Sequence, residues 1–187
     1  MKALASALIA LSLAGCSAGP DAPPQTVVVG IDTSGSARPL LAAFVASTKL
    51  VAAKLHPRGK DLLTVYRFDS QAHELYSGPR PISLEHLQDI LLREVAPSAD
   101  RLGTLPTKFL QQAAAQLLEN PQGPPATVFV LTDGGNDDLS GSANQAAKAV
   151  ALEIAEHPRI EKVVFAREYA SATAPWAPSS SSPNSTR

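Results

Sequence analysis

Three short stretches of this chain carry hydroxyl and carboxylate side chains in positions suited to a hard cation. They are Asp32-Thr33-Ser34-Gly35-Ser36, Gly103-Thr104 and Thr132-Asp133-Gly134. Oxygen is the ligand that magnesium and calcium take, and magnesium keeps several of its waters. Asp-x-Ser-x-Ser is a weak signal alone, because Asp-Ser-Gly turns are common in loops. Other polar residues carry less. Asp137 and Asp138 sit in a Gly-Gly-Asn-Asp loop and read as solvated turn residues, and Asp69 reads as shaping a hairpin. His56, His73, His86 and His157 show no metal-ligand spacing and read as surface or helix-end residues.

The elements that must position these stretches alternate strand with helix. Thr26 to Ile31 is a continuous apolar run of the kind found in strands buried on both faces. Leu40 to Leu55 places Leu41, Phe44, Val45, Thr48, Val51, Ala52 and Leu55 on one helical stripe, and Pro57 follows. Asp61 to Phe68 predicts a second strand, and Ala72 to Tyr76 predicts its hairpin partner on an antiparallel edge. Ser83 can cap a helix bearing Leu84, Leu87, Leu91 and Val95. Pro106 opens another, with Phe109, Leu110, Ala113, Ala114 and Leu117 facing inward. Ala126 to Leu131 predicts a third apolar strand, Ser142 to His157 a helix stopped by Pro158, and Ile160 to Ala166 a last strand. Strands separated by such helices give a mostly parallel sheet of about five strands covered on both faces. Loops leaving the carboxyl ends of those strands converge on the crevice where ligands bind. The three polar stretches belong to that end.

Together these loops resemble the metal-ion-dependent adhesion site of von Willebrand factor type A (VWA) domains. That site pairs an Asp-x-Ser-x-Ser loop with a threonine and an aspartate from two later loops. The resemblance covers about Thr26 to Ala166 and implies a single three-layer, Rossmann-like α/β domain. It implies a magnesium ion (manganese or calcium are alternatives) held by Asp32, Ser34, Ser36, Thr104 and Asp133. In that family the hydroxyls ligate directly and the aspartates usually act through water. With few direct anionic ligands the ion stays electron-poor, and it accepts a Glu or Asp side chain from a protein partner. Thr104 stands six residues before Leu110, as in the family, although Phe109 is bulkier than the small residue usual there. Thr107 is the rival for that role. The family also continues with another strand and a final helix, whereas this chain turns Ser/Pro-rich after Ala166. That strand and helix are expected to be missing, and any conformational relay through them with them.

The expected function is therefore non-enzymatic, a protein-binding module working through a cation. A VWA-like scaffold that binds partners without metal is a second form of it. The competing enzyme is a magnesium-dependent phosphatase of the haloacid-dehalogenase type, with Asp32 as nucleophile. Such enzymes place a second Asp two residues later as general acid. Here Ser34 stands there, and a hydroxyl is a poor proton donor to a leaving group. A sugar kinase, suggested by Gly30 to Gly35, needs two large lobes. A phosphate loop lacks its Gly-Lys-Ser/Thr.

The flanks and the charge bound the setting. Met1-Lys2, an apolar run Ala3 to Leu13 too short to span a bilayer, and Leu13-Ala14-Gly15-Cys16 resemble the signal and lipobox of bacterial lipoproteins. That resemblance implies cleavage after residue 15, acylation of Cys16 and stable anchoring in the cell envelope, facing out of the cytoplasm. Residues 16–25 then form a Pro-rich tether, 26–169 the folded domain and 170–187 a Ser/Pro-rich tail expected to be disordered. Trp176 in that tail reads as loosely docked. Cys16 is the only cysteine, so no disulfide framework exists. Net charge is −1, and −2 once Lys2 leaves with the signal, which gives no basic surplus for nucleic acid.

Overall fold

A computed structural model describes residues 23–56, 60–95, 103–134 and 143–167. Strand β1 spans Thr26–Asp32, β2 Leu62–Phe68, β3 Ala72–Pro79, β4 Ala126–Thr132 and β5 Ile160–Arg167. The helices are α1 Leu41–Lys54, α2 Leu84–Glu94, α3 Pro106–Leu118 and α4 Ala143–Glu156. The five strands lie in the order β3-β2-β1-β4-β5. All neighbours run parallel except β2 and β3. This is the doubly wound sheet with one antiparallel edge that the sequence predicts. The sequence beyond Arg167, where the expectation of a missing strand and helix falls, lies outside the described residues. So do Cys16, Asp137, Asp138 and Trp176.

The central strand explains the two layers. Every residue of β1 is buried, because alternate side chains feed opposite faces. Val27, Val29 and Ile31 join Leu41, Phe44, Val45 and Val51 of α1 with Leu87 and Leu91 of α2 in one core. Val28 joins Phe109, Leu110, Ala113, Ala114 and Leu117 of α3, and Val150 and Ile154 of α4, in the other. Local signals set the helix starts. Ser83 Oγ accepts from His86 N at 3.1 Å, and Pro106 occupies the first turn of α3. A short 3-10 turn, Arg38–Leu40, precedes α1.

Three expectations need correcting. The hairpin strand β3 runs to Pro79 rather than Tyr76, because its register pairs Pro79 with Leu62 at the start of β2. Asp61 lies just before β2 instead of within it. Its buried carboxylate accepts from Gln25 N at 3.1 Å and His56 N at 2.8 Å, fastening both neighbouring segments. His157 is a helix-end residue but not a surface one. Its Nε2 lies 3.2 Å from Ala114 O, and its Nδ1 accepts from Arg159 N at 3.1 Å.

Gly30 has a steric role that accounts for the bulky Phe109. A Cβ at position 30 would lie 2.5 Å from the Phe109 ring. That ring stacks on Phe68 at 5.5 Å and meets Tyr66 at 5.7 Å, so it cannot easily retreat. A large residue on α3 is accommodated by the absence of a side chain on β1. Gly30→Ala is expected to lower the unfolding free energy by about 1–3 kcal/mol by overpacking. Adding Phe109→Leu should recover most of that loss in a denaturant titration.

Tyr66, buried on β2, donates its hydroxyl to Gln116 Oε1 at 3.0 Å. Burial pushes its phenol up to about 12, and the charges of Glu74 and Glu119 add to this. A raised acid pKa favours the protonated native state. Its stabilising contribution is therefore complete below pH 10 and lost as pH climbs towards 12. Ultraviolet titration of the folded protein should show one tyrosine ionising about two pH units late, and Tyr66→Phe should remove it.

Candidate metal centre

The carboxyl ends of β2, β1 and β4 are adjacent; β1 and β4 run directly into the first and third polar loops, and the second precedes α3. Asp32, the last residue of β1, is fully buried, with 0% exposure. Its Oδ1 accepts from Ser34 N at 2.9 Å, an Asx turn that folds the loop back over the strand end. Its Oδ2 accepts from Thr132 Oγ1 at 2.7 Å, across from the end of β4. Thr132 Oγ1 in turn accepts from Gly134 N at 3.1 Å, and Gly134 adopts φ +95°. The first and third loops are thereby joined by a hydroxyl that reading by spacing does not single out. Thr132 sits in the quoted stretch, but its partner is 100 residues away.

The second loop is tied in through β2. Thr33 donates both its N–H, at 2.8 Å, and its hydroxyl, at 3.2 Å, to Phe68 O. The same hydroxyl lies 3.5 Å from Asp69 Oδ2. Leu105 N donates to Asp69 O at 2.9 Å, which holds the entry of α3 against the end of β2. Thr104 is buried there, directly after Gly103 at φ +85°. Thr107 lies within the first turn of α3 and is half-buried. Asp69 does shape the hairpin, accepting from Gln71 N at 3.1 Å and Ser70 Oγ at 3.3 Å. It also links the first and second loops, a role not legible from its position.

The hydroxyls of Ser34 and Ser36 lie 3.3 Å apart. Ser34 is buried and Ser36 exposed, so the pair opens from the interior towards solvent. Burial raises the Asp32 carboxyl above its ordinary pKa, and the nearby Asp133 charge raises it further. Hydrogen bonds from Ser34 and Thr132 oppose them. Asp32, Ser34, Ser36 and Asp133 are thus brought to one place. Thr104 stands on the adjoining loop.

This donor set fits a hard divalent ion. Two ligands in adjacent positions around magnesium are about 2.9 Å apart, given metal–oxygen distances near 2.0–2.1 Å. The Ser34–Ser36 spacing is close to that. The groups that act on the Asp32 carboxyl are the neutral donors Ser34 and Thr132 and a second acid, Asp133. Among the described residues no group of three His, Cys, Asp or Glu could hold a metal.

A doubly wound α/β domain with a hydroxyl-and-carboxylate cleft at the carboxyl ends of its central strands is the class that fold and geometry define. No protein-family model and no curated protein sequence matches the chain. Solved structures do. A von Willebrand factor type A structure from Catenulispora acidiphila aligns with TM-score 0.56 and 21% identity, over 77% of this chain and 32% of that one. An aerotolerance-related membrane protein from Bacteroides fragilis NCTC 9343 aligns with TM-score 0.53 and 19% identity, over 75% of this chain and 65% of that one. Three N-terminal domains of the type V pili tip protein Mfa5 from Porphyromonas gingivalis align with TM-score 0.50 and 21% identity, over 59% of this chain and 20% of those domains. The chain thus spans under two thirds of the length of each. The fold of this protein is the von Willebrand factor type A fold.

Proposed function

We propose that this protein is a binding module that holds an acidic side chain of a protein partner through a divalent cation. Ser34, Ser36 and Thr104 would supply hydroxyl oxygens, and Asp32 and Asp133 the balancing charge. The ion would act as a Lewis acid with a position open to a carboxylate. The observation that carries this reading is the buried Asp32 carboxylate, pinned by Ser34 N and Thr132 Oγ1 beneath two hydroxyls 3.3 Å apart. Similarity to a membrane protein and to a pilus tip protein agrees with a surface-binding role. We further propose that residues 1–15 are removed and that a lipid on Cys16 anchors the domain in the cell envelope. Among the described residues no helix is long and apolar enough to cross a membrane.

The phosphatase alternative has a geometric difficulty besides Ser34. A nucleophilic aspartate must reach a phosphorus atom in line, whereas Asp32 is fully buried and both its oxygens already accept hydrogen bonds. The binding reading is tested by pull-down from membranes with magnesium and again with chelator. Partner capture should need the metal and fall at least about tenfold in Ser36→Ala, which removes a ligand at little cost to folding. Capture unchanged by chelator would leave the metal-free scaffold in its place. Magnesium-dependent turnover of a phosphate ester, abolished by Asp32→Asn, would replace it with the enzyme.

A further inference from the structure

An open cleft of about 520 Å³ lies between the tip of the β2–β3 hairpin and α3, within the size range of ligand clefts. Ser70 and Gln71 form one wall. Lys108, Gln111, Gln112 and Ala115 form the other, an exposed stripe of α3 at helical spacing. The upper rim of the cleft belongs to the candidate metal centre. Asp69, whose Oδ2 lies 3.5 Å from the Thr33 hydroxyl, accepts from Ser70 Oγ and Gln71 N and so fixes the hairpin tip. Leu105 donates its N–H to Asp69 O and accepts from Lys108 N at 3.1 Å. Lys108 stands four residues beyond Thr104, so the cleft begins at the second loop. From there α3 runs towards the amino end of the sheet, because it leads into the parallel strand β4.

The lining is rich in donors and holds no carboxylate: an ammonium, the primary amides of the glutamines and a hydroxyl. Lys108 is exposed, and its ammonium makes no ion pair or hydrogen bond among the described residues. The next acid along β3, Glu74, is already bonded to Gln116 Nε2 at 2.9 Å. The charge of this cleft therefore suits an anion. From Lys108 to Ala115 the stripe is about 10 Å long at a helical rise of about 1.5 Å per residue. About three residues of extended chain cover that length. Primary amides suit a main chain in particular, since each offers donors to peptide C=O and an acceptor to peptide N–H.

We propose that this cleft holds an extended acidic segment of the protein partner, one carboxylate ligating the cation and a second pairing with Lys108. The inference rests on the metal-bridged binding proposed above, and adds to it a second anchoring charge and a direction along α3. Four residues at the entry of a helix span about 6–10 Å, which two or three residues of extended chain match. That sets the spacing of the two acids. Beyond Lys108 the segment continues down the cleft, where Gln71, Gln111 and Gln112 meet its main chain.

NMR titration of the full chain carrying Cys16→Ser, in magnesium, tests this with end-capped polyglycine nonapeptides. One carries a single central glutamate; the others add a second glutamate two or three residues to either side. At least one two-glutamate peptide should bind about threefold or more tightly than the single-glutamate peptide, the scale of an exposed ion pair. The side-chain amide signals of Gln71, Gln111 and Gln112 should shift as it binds. Lys108→Gln should erase that gain while changing the Kd of the single-glutamate peptide by less than about twofold, and Lys108→Glu should turn the gain into a loss. Chelator should abolish binding of every peptide. A gain absent from the wild type, or one that survives Lys108→Gln, overturns this inference and leaves the metal reading standing. Failure of every peptide to bind in magnesium removes the metal reading and this inference together. Trigalacturonate bound more tightly than any peptide, and weakened by Lys108→Gln, makes the occupant an acidic glycan and overturns the assignment.

Discussion

Replacing Arg159 with methionine is expected to lower the unfolding free energy by about 3–5 kcal/mol, a large share of a small domain's stability. Arg159 lies at the amino end of the sheet, opposite the candidate metal centre, and is 6% exposed. Its guanidinium makes five hydrogen bonds. Nε and Nη2 donate to Pro124 O at 3.0 and 2.7 Å, Nη1 to Leu117 O and Asn120 O at 2.9 and 2.8 Å, and Nη2 to Thr26 Oγ1 at 3.0 Å. These acceptors belong to the end of α3, the loop into β4 and the first residue of β1. Gly123 leaves the room, since a Cβ there would lie 2.7 Å from the Arg159 Cζ. Burial lowers the arginine pKa, but the group stays charged at any ordinary pH. Methionine fills similar volume but donates nothing, so Leu117 O, Asn120 O and Pro124 O each lose the guanidinium. Only Asn120 O and Pro124 O keep another donor, Gly123 N at 2.9 Å and Thr26 Oγ1 at 3.4 Å. Arg159→Lys keeps the charge but not the planar fork, so it should recover only a minor part. Urea titrations with unchanged slope would measure both losses. If both variants lose less than about 1 kcal/mol, water substitutes freely for the guanidinium and the cage is not a fastening.

Magnesium at a hundred times its dissociation constant is expected to raise the unfolding free energy by roughly 2.7 kcal/mol. For a chain of this size that is a rise in melting temperature of roughly 5–10 °C. Chelator should reverse it, and manganese should reproduce it. Asp32→Asn is the informative variant. The amide can still accept from Ser34 N, and the Thr132 hydroxyl can turn to accept from the new NH2. The buried negative charge, which desolvation and Asp133 disfavour, is removed. Metal-free stability should therefore hold or rise, while the response to magnesium disappears. A loss of response without a loss of fold separates metal binding from scaffold integrity. A wild-type melt unmoved by magnesium, manganese and chelator alike would remove the cation from the proposed function.

The sequence by itself determined the elements and the local chemistry. The run Thr26 to Ile31, three valines and an isoleucine around one glycine, is of the kind found in strands covered on both faces. Ser83 and Pro106 marked helix starts through contacts within one turn. Asp32-x-Ser34-x-Ser36 was legible because the Asx turn from Asp32 Oδ1 to Ser34 N spans two residues. Tertiary structure decided what spacing does not encode. Thr132 meets Asp32 across 100 residues because β4 lies beside β1 in parallel register. Asp69 links two loops because β2 ends where α3 begins. Phe109 is tolerated because it faces Gly30. Arg159 and His157, ordinary in sequence, become buried fastenings only when α3, α4 and β4 are packed. A periodic pattern records which face of an element is apolar. Which neighbour that face meets follows from strand order and register, and those are set by the whole chain folding at once.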